Sequence, residues 1–89
     1  MLTIYYTKQF LKELKLAGKR GKNLKKLETI MDMLVNEKVL ERRYREHILV
    51  GQYQSRKECH IESDWLLIYK IENGCIIFER TGTHADLFK

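Results

Sequence analysis

Three histidines, His47, His60 and His84, are the side chains here whose ordinary pKa lies near neutral pH, and all three fall in the second half of the chain. Asp64 follows His60 by four residues, and Arg80 precedes His84 by four. Together these residue types could cleave RNA through its own 2′-hydroxyl without a metal. That reaction needs a base for the hydroxyl proton, an acid for the departing 5′ oxygen, and a cation for the charge gathering at phosphorus. Imidazole can fill either proton role, and such transfers contribute about 10²–10⁴-fold each. A guanidinium can meet the phosphoryl oxygens through forked, charge-assisted hydrogen bonds. Phe88 or Trp65 offers a ring on which an unpaired base could stack, a contact worth roughly 1–3 kcal/mol.

Each of these residues also has a plain structural role open to it. Trp65 opens a strand-like run and fits a core. His60 could pair with Glu58 or Glu62, and Arg80 with Glu79 or Glu62. Leu87 and Phe88 could simply dock the C-terminus. Other chemistries find less support. Cys59 and His60 are adjacent in a strand and point to opposite faces, so one zinc site cannot easily use both, and no C-x-x-C or H-x-x-x-H spacing occurs. No nucleophile elbow and no glycine-rich phosphate loop is present. The expectation is a site with no metal and no cofactor.

The elements that must position these groups follow from periodicity. Residues 2–6 are β-branched and aromatic and read as a first strand. Thr7 offers an N-cap to a helix over 8–17, with Phe10, Leu11 and Leu14 on its apolar stripe. Gly18 and Gly21 end that helix. A second helix spans 23–36, where Leu24, Leu27, Ile30, Met31 and Leu34 repeat at helical spacing. Residues 37–53 lose periodicity and carry the charged run from Glu41 to Glu46. This long polar loop, with a short strand near 48–50 and a turn at Gly51, is of a kind that often carries function. Strands follow at 56–62, 65–71 and 75–81, joined by turns at Ser63-Asp64 and Glu72-Asn73-Gly74. Alternation sets Cys59 and Ile61 on one face of the first, with Arg56, Glu58, His60 and Glu62 on the other. The order predicts an α+β fold, β-α-α-β-β-β(β), with two N-terminal helices on one side of a small, mainly antiparallel curved sheet. The meander then brings His60, Asp64, Arg80 and His84 toward one another.

The chain, 1–89, reads as a single domain large enough for a modest core without disulfides. Cys59 and Cys75 fit small buried hydrophobes of a reducing cytosol. No segment is long and apolar enough to span a bilayer, so a cytoplasmic protein with no membrane partner is expected. The net charge of +5 is unevenly spread: residues 1–26 hold eight lysines and arginines against Glu13 alone, a local +7. Such a basic end suits a polyanion, although a solvated helix face has the same composition.

Three segments resemble the YafQ branch of the RelE/ParE toxins. They are His47-Ile-Leu-Val-Gly51, Arg56-Lys-Glu-Cys-His-Ile-Glu-Ser-Asp-Trp-Leu-Leu-Ile-Tyr69 and Glu79-Arg-Thr-Gly-Thr-His-Ala-Asp-Leu-Phe88. The resemblance extends through the Tyr-Thr strand end and the lysine- and leucine-rich helices, nearly the whole chain. It implies a toxin of a bacterial type II toxin-antitoxin system, an mRNA interferase that enters the ribosomal A site and cuts translating mRNA. Metal-independent acid/base catalysis would leave a 2′,3′-cyclic phosphate and a 5′-hydroxyl. His47, His60, Asp64 and His84 match the family's catalytic positions, Arg80 its phosphate-stabilising arginine, Phe88 the terminal aromatic beside substrate, and Trp65 a site-lining or supporting position. By the same likeness His84 is the general acid, Asp64 with His60 serves the 2′-hydroxyl, and His47 orients phosphate or sugar. One departure stands out: Ile48 replaces the proline of the family's His-Pro-Leu-x-Gly. The resemblance also implies docking on ribosomal RNA by Lys12, Lys15, Lys19, Arg20, Lys22, Lys25 and Lys26. It further implies an acidic, DinJ/RelB-like antitoxin whose inactive complex with the toxin binds operator DNA. Two alternatives share the fold or the surface: a ParE-like inhibitor of DNA gyrase, against which the histidine set argues, and a non-catalytic RNA- or antitoxin-binding module.

Overall fold

The computed structural model describes residues 1–88, with Gln52 by its backbone alone. Strand β1 (Thr3–Tyr6) leads into helices α1 (Lys8–Lys19) and α2 (Leu24–Val35). A 3₁₀ turn (Arg42–Tyr44), strand β2 (His47–Ile48) and a second 3₁₀ turn (Gly51–Tyr53) follow. The chain ends in β3 (Lys57–Glu62), β4 (Trp65–Glu72), β5 (Cys75–Gly82) and a four-residue helix α3 (His84–Leu87). The sheet order is β1-β5-β4-β3-β2, antiparallel except where β1 lies parallel to β5. The expected α+β class and element order hold, and α3 is an addition to them.

Local chemistry explains the boundaries. The Thr7 hydroxyl accepts from the Phe10 N–H at 2.9 Å and donates to the Glu79 carbonyl at 2.8 Å, so one side chain starts α1 and ties it to β5. Asn23 caps α2 through the Lys25 N–H. Asn73 and Gly74 both take positive φ, 50° and 74°, the conformation a tight β4–β5 hairpin demands. On α1 the buried stripe is Phe10, Glu13, Leu14 and Ala17, and Leu11 is half exposed. The expected placement of Leu11 is therefore corrected, because the 10–14–17 row points at the sheet and position 11 falls a step off it.

The main core lies between the helices and one sheet face. Phe10, Leu27, Ile30 and Leu34 meet Cys59, Leu67, Tyr69, Ile76 and Phe78 there, each side chain worth about 1.5–3 kcal/mol on burial. Burial pushes the Cys59 thiol up to about 12, with Glu46 and Glu58 adding to the shift, which leaves it an inert hydrophobe. The opposite face carries a smaller cluster of Leu66, Ile68 and Leu87 with Leu49 and Tyr53. Strand β4 is apolar at both parities because it is covered on both sides.

Two bulges adjust which side chains reach which face. One falls between His60 and Glu62 on β3, so Glu62 pairs opposite Trp65 and turns to the helix side. There it meets Lys22 at 3.6 Å and Lys26 at 3.1 Å. This corrects the alternation that set Glu62 beside His60. The other bulge inserts Glu79 between the Phe78–Tyr69 and Arg80–Ile68 pairs, and the Glu79 carboxylate accepts from Arg56 at 3.0 Å. Among the described residues no helix is long and apolar enough to cross a membrane.

Candidate active site

The second face of the sheet holds a row of rings. His47 on β2 pairs opposite Glu58 on β3, and His60 stands two residues further along the same face. The His47 and His60 rings are 6.3 Å apart, His60 and His84 5.6 Å, and His84 and Phe88 6.3 Å. Tyr53 meets Phe88 edge-on at 5.5 Å. Glu58, only 4% exposed, sits beneath the first two rings. Its Oε1 is 3.3 Å from His47 Nε2 and 3.4 Å from His60 Nε2. His47 Nδ1 faces the Arg45 carbonyl at 2.7 Å. The β2–β3 pairing thus seats His47 although Ile48 supplies none of the rigidity of proline.

The C-terminal segment is built as a clamp. Thr83 and Asp86 form a capping box: Thr83 Oγ1 accepts from the Asp86 N–H at 3.1 Å, and Asp86 Oδ2 accepts from the Thr83 N–H at 3.0 Å. Arg20 donates to the same carboxylate at 2.8 Å and, with the Thr83 N–H, holds Asp86 down to about 2. A Cβ on Gly82 would lie 3.0 Å from Asp86, so Gly82 gives clearance for the cap and does not break the chain. Leu87 is buried in the small cluster, and Phe88 stays 41% exposed beside His84. Docked tail and site edge are therefore one structure. The signal for α3 was the Thr83-x-x-Asp86 spacing.

This clamp delivers His84 to Asp64. The Asp64 carboxylate in the β3–β4 turn accepts the His84 backbone N–H at 2.8 Å and faces His84 Nδ1 at 2.6 Å. These interactions, the backbone bond first and the ring second, hold the Asp64 carboxyl below its ordinary range. With Nδ1 occupied, Nε2 is the nitrogen left for a substrate. The geometry couples Asp64 to His84, whereas the carboxylate beside His60 is Glu58.

Arg80 reaches the same face through a partner remote in sequence. Glu13 on α1 accepts from Arg80 Nε at 2.9 Å and Nη2 at 2.6 Å, and from the Thr81 N–H at 3.2 Å. Arg80 Nη1 donates to the Tyr53 hydroxyl at 2.7 Å, which donates to the Leu87 carbonyl at 3.1 Å. Neither Glu79 nor Glu62 is its partner. Glu13 and Tyr53 are the members of the site that sequence reasoning passed over, whereas Glu58 is one of the two carboxylates expected beside His60. Glu13 had a signal, since Phe10, Glu13 and Ala17 share helical spacing. Glu58 had the parity of His60, and Tyr53 had none.

Trp65 does not join the row. It is 1% exposed on the helix side, its Nε1 donating to Thr81 Oγ1 at 3.0 Å, so of the expected site-lining or supporting positions the site-lining one is corrected. Trp65→Phe should lower stability by about 1–3 kcal/mol through the lost volume and bond, and leave turnover unchanged at temperatures where the protein is folded. Loss of turnover at an unchanged melting temperature would return Trp65 to the site. Of the expected docking cations, Arg20 is paired with Asp86, and Lys22 and Lys26 with Glu62. Lys12, Lys15, Lys19 and Lys25 form no ion pair among the described residues. Nor do any three His, Cys, Asp or Glu side chains there converge as metal ligands.

Helices α1 and α2 on one face of a mixed five-stranded sheet, with a row of histidines and carboxylates on the other, define a small α+β protein whose titratable groups line one face. Residues 2–89 match the family model described as "Bacterial toxin of type II toxin-antitoxin system, YafQ", and the chain belongs to that family. It is 44% identical over 86 residues to the mRNA interferase toxin YafQ of Escherichia coli K12, covering 96% of this chain and 94% of that one. The crystal structure of YafQ from E. coli BL21(DE3) superposes with a TM-score of 0.95 at 41% identity, covering both chains fully. The toxin of the E. coli DinJ-YafQ complex superposes with a TM-score of 0.93 at 42% identity, again over both full lengths.

Proposed function

We propose that this chain is an mRNA interferase that cuts mRNA in the ribosomal A site by attack of the 2′-hydroxyl on the adjacent phosphorus. The observation that carries this reading is the pairing of His84 Nδ1 with Asp64 at 2.6 Å, with the His60 ring 5.6 Å from that of His84. Two proton-transfer groups lie within one nucleotide's reach and are backed by separate carboxylates. On the base side, His60 with Glu58 takes the proton from the 2′-hydroxyl. The 2′ oxygen bonds to phosphorus, and the bond from phosphorus to the 5′ oxygen breaks. His84, its Nδ1 held by Asp64, gives that oxygen a proton through Nε2. The products are a 2′,3′-cyclic phosphate and a 5′-hydroxyl, with no metal in the balance. Arg80 meets the phosphoryl charge. His47 orients phosphate or sugar, and Phe88 stacks on a base.

Lys12, Lys15, Lys19 and Lys25 contact ribosomal RNA in this reading, Lys22 and Lys26 exchange surface pairs worth little, and Arg20 adds the N–H donors that its Asp86 pair leaves open. An acidic antitoxin, in the manner of the DinJ complex of the E. coli relative, covers the toxin in the cytoplasm, and their complex binds operator DNA. The test incubates purified protein with programmed ribosomes and maps the mRNA ends. Cleavage only on ribosomes, cyclic phosphate ends and an unchanged rate with a chelator selective for transition metals are expected. Absence of ribosome-dependent cutting sinks the nuclease. Linear phosphate ends or chelator sensitivity sinks the proposed chemistry.

A further inference from the structure

The charged loop from Glu41 to Glu46 has no part in the mechanism above, yet it walls a groove of about 420 Å³ that opens beside His60. Arg43, Tyr44 and Arg45 form one side, Lys26 and Thr29 of α2 the other, and Ser63 closes the end next to Asp64. The Arg43 guanidinium lies 4.8 Å over the Tyr44 ring and donates to its hydroxyl at 2.8 Å, which holds a largely exposed cation in place. Its other neighbour is Glu41 at 3.5 Å, which does not line the groove. The one carboxylate in the groove wall, Glu62, is already spanned by Lys22 and Lys26. Arg45 adopts φ +48°, a left-handed conformation uncommon for a side chain of its size. That turn aims its carbonyl at His47 Nδ1, so the backbone that presents the groove cation also orients a histidine of the row.

We infer that this groove is a second nucleic-acid subsite, binding the phosphodiester backbone of the single-stranded RNA that flanks the scissile bond. The inference rests on the reading of the histidine row as the cleavage site, because His60 belongs to both. A strand whose reacting phosphate lies between His60 and His84 continues past His60 into a channel with three cations, three hydroxyls and one neutralised carboxylate. Its volume falls within the range of small-ligand sites, enough for a nucleotide-sized group. Charge and continuity select a polyanionic strand, and the Tyr44 ring with Arg43 stacked on it offers a flat edge for a base.

The test uses the whole protein and a 2′-O-methyl RNA oligonucleotide, which can bind but cannot be cut. Arg43→Gln/Arg45→Asn removes both groove arginines; asparagine suits the left-handed backbone at 45. Lys8→Gln/Lys38→Gln removes equal charge from outside the groove. The groove variant should bind the oligonucleotide about tenfold more weakly at low salt. Its plot of log affinity against log salt should be shallower by about 1.4, roughly 0.7 for each phosphate that an arginine no longer neutralises. The control should match wild type in both. Equal weakening in the two variants, or none in either, overturns the subsite. A parallel arm measures wild-type cleavage on programmed ribosomes. Groove-dependent binding without cleavage would sink the nuclease and leave the subsite standing, whereas cleavage with groove-independent binding would do the reverse.

Discussion

His84→Ala should reduce single-turnover mRNA cleavage on programmed ribosomes by about 10²–10⁴-fold, with ribosome binding and melting temperature nearly unchanged. The magnitude follows from the role proposed for His84, protonating the leaving 5′ oxygen. The small structural effect follows from exposure, since the ring is half exposed and makes one hydrogen bond, to Asp64. The α3 clamp does not need it, because the capping box, the Arg20–Asp86 pair and Leu87 hold that segment. Asp64→Asn separates orientation from charge. Its amide oxygen still accepts the His84 backbone N–H, so a smaller loss is expected than for His84→Ala. The sign of the pH effect is fixed by Asp64. Its carboxyl is depressed by the His84 backbone and ring, so the interaction is fully present above the ordinary carboxylate range. It is lost only as pH falls through the lower folded value. Between about pH 5 and 8 the Asp64–His84 anchor is therefore intact, and no change in rate there comes from its loss. Wild-type rates from His84→Ala would remove His84 from the chemistry. A coincident fall in ribosome binding would make it a docking group.

The parts of this fold that were legible in the sequence are those fixed by neighbours in the chain. Thr7, Asn23 and Asn73-Gly74 act within a few residues, and the α2 stripe needs only its own period. The histidines stood out because their chemistry is rare at neutral pH, and the meander was enough to predict that Asp64 and His84 would approach. What stayed hidden depends on partners far along the chain. The bulge at Ile61 is a property of the β3–β4 pairing, so strict alternation sent Glu62 to the wrong face. For Trp65 both a core place and a stacking role were open, and its opposite pair and Thr81 set it in the core on the helix side. The Arg80 partner lies 67 residues away on a helix that looked purely basic outside and apolar inside. The family resemblance supplied roles for residues but said nothing of Glu13, because that side chain acts only through another.

Glu13→Ala is the stability prediction with the largest expected effect, a loss of about 2–4 kcal/mol and a fall in melting temperature of roughly 10–25 °C. Glu13 is 9% exposed and satisfies Arg80 Nε, Arg80 Nη2 and the Thr81 N–H together. Alanine leaves a guanidinium that is mostly covered, and a buried backbone donor, facing a void. Glu13→Gln keeps the shape but turns an amide donor toward another donor, so it should fall between alanine and wild type. Because the Glu13 hydrogen bond raises the Arg80 guanidinium above its ordinary value, this contribution is not lost through Arg80 at any pH below about 12, and it holds wherever Glu13 is a carboxylate. The loss in the variant should therefore be the same in mildly acidic and neutral buffer. The same interaction has a functional side. A guanidinium has five N–H donors. Glu13 and Tyr53 engage Nε, one N–H of Nη2 and one of Nη1, leaving one on each terminal nitrogen to turn toward a phosphate. In the proposed mechanism, Arg80 held in this way meets the transition state without first finding its orientation. Below its melting temperature, Glu13→Ala should lower kcat with KM little changed, as expected when an interaction made in the transition state is weakened. A lowered melting temperature with unchanged kcat would show that Glu13 supports the fold and that Arg80 finds its position unaided.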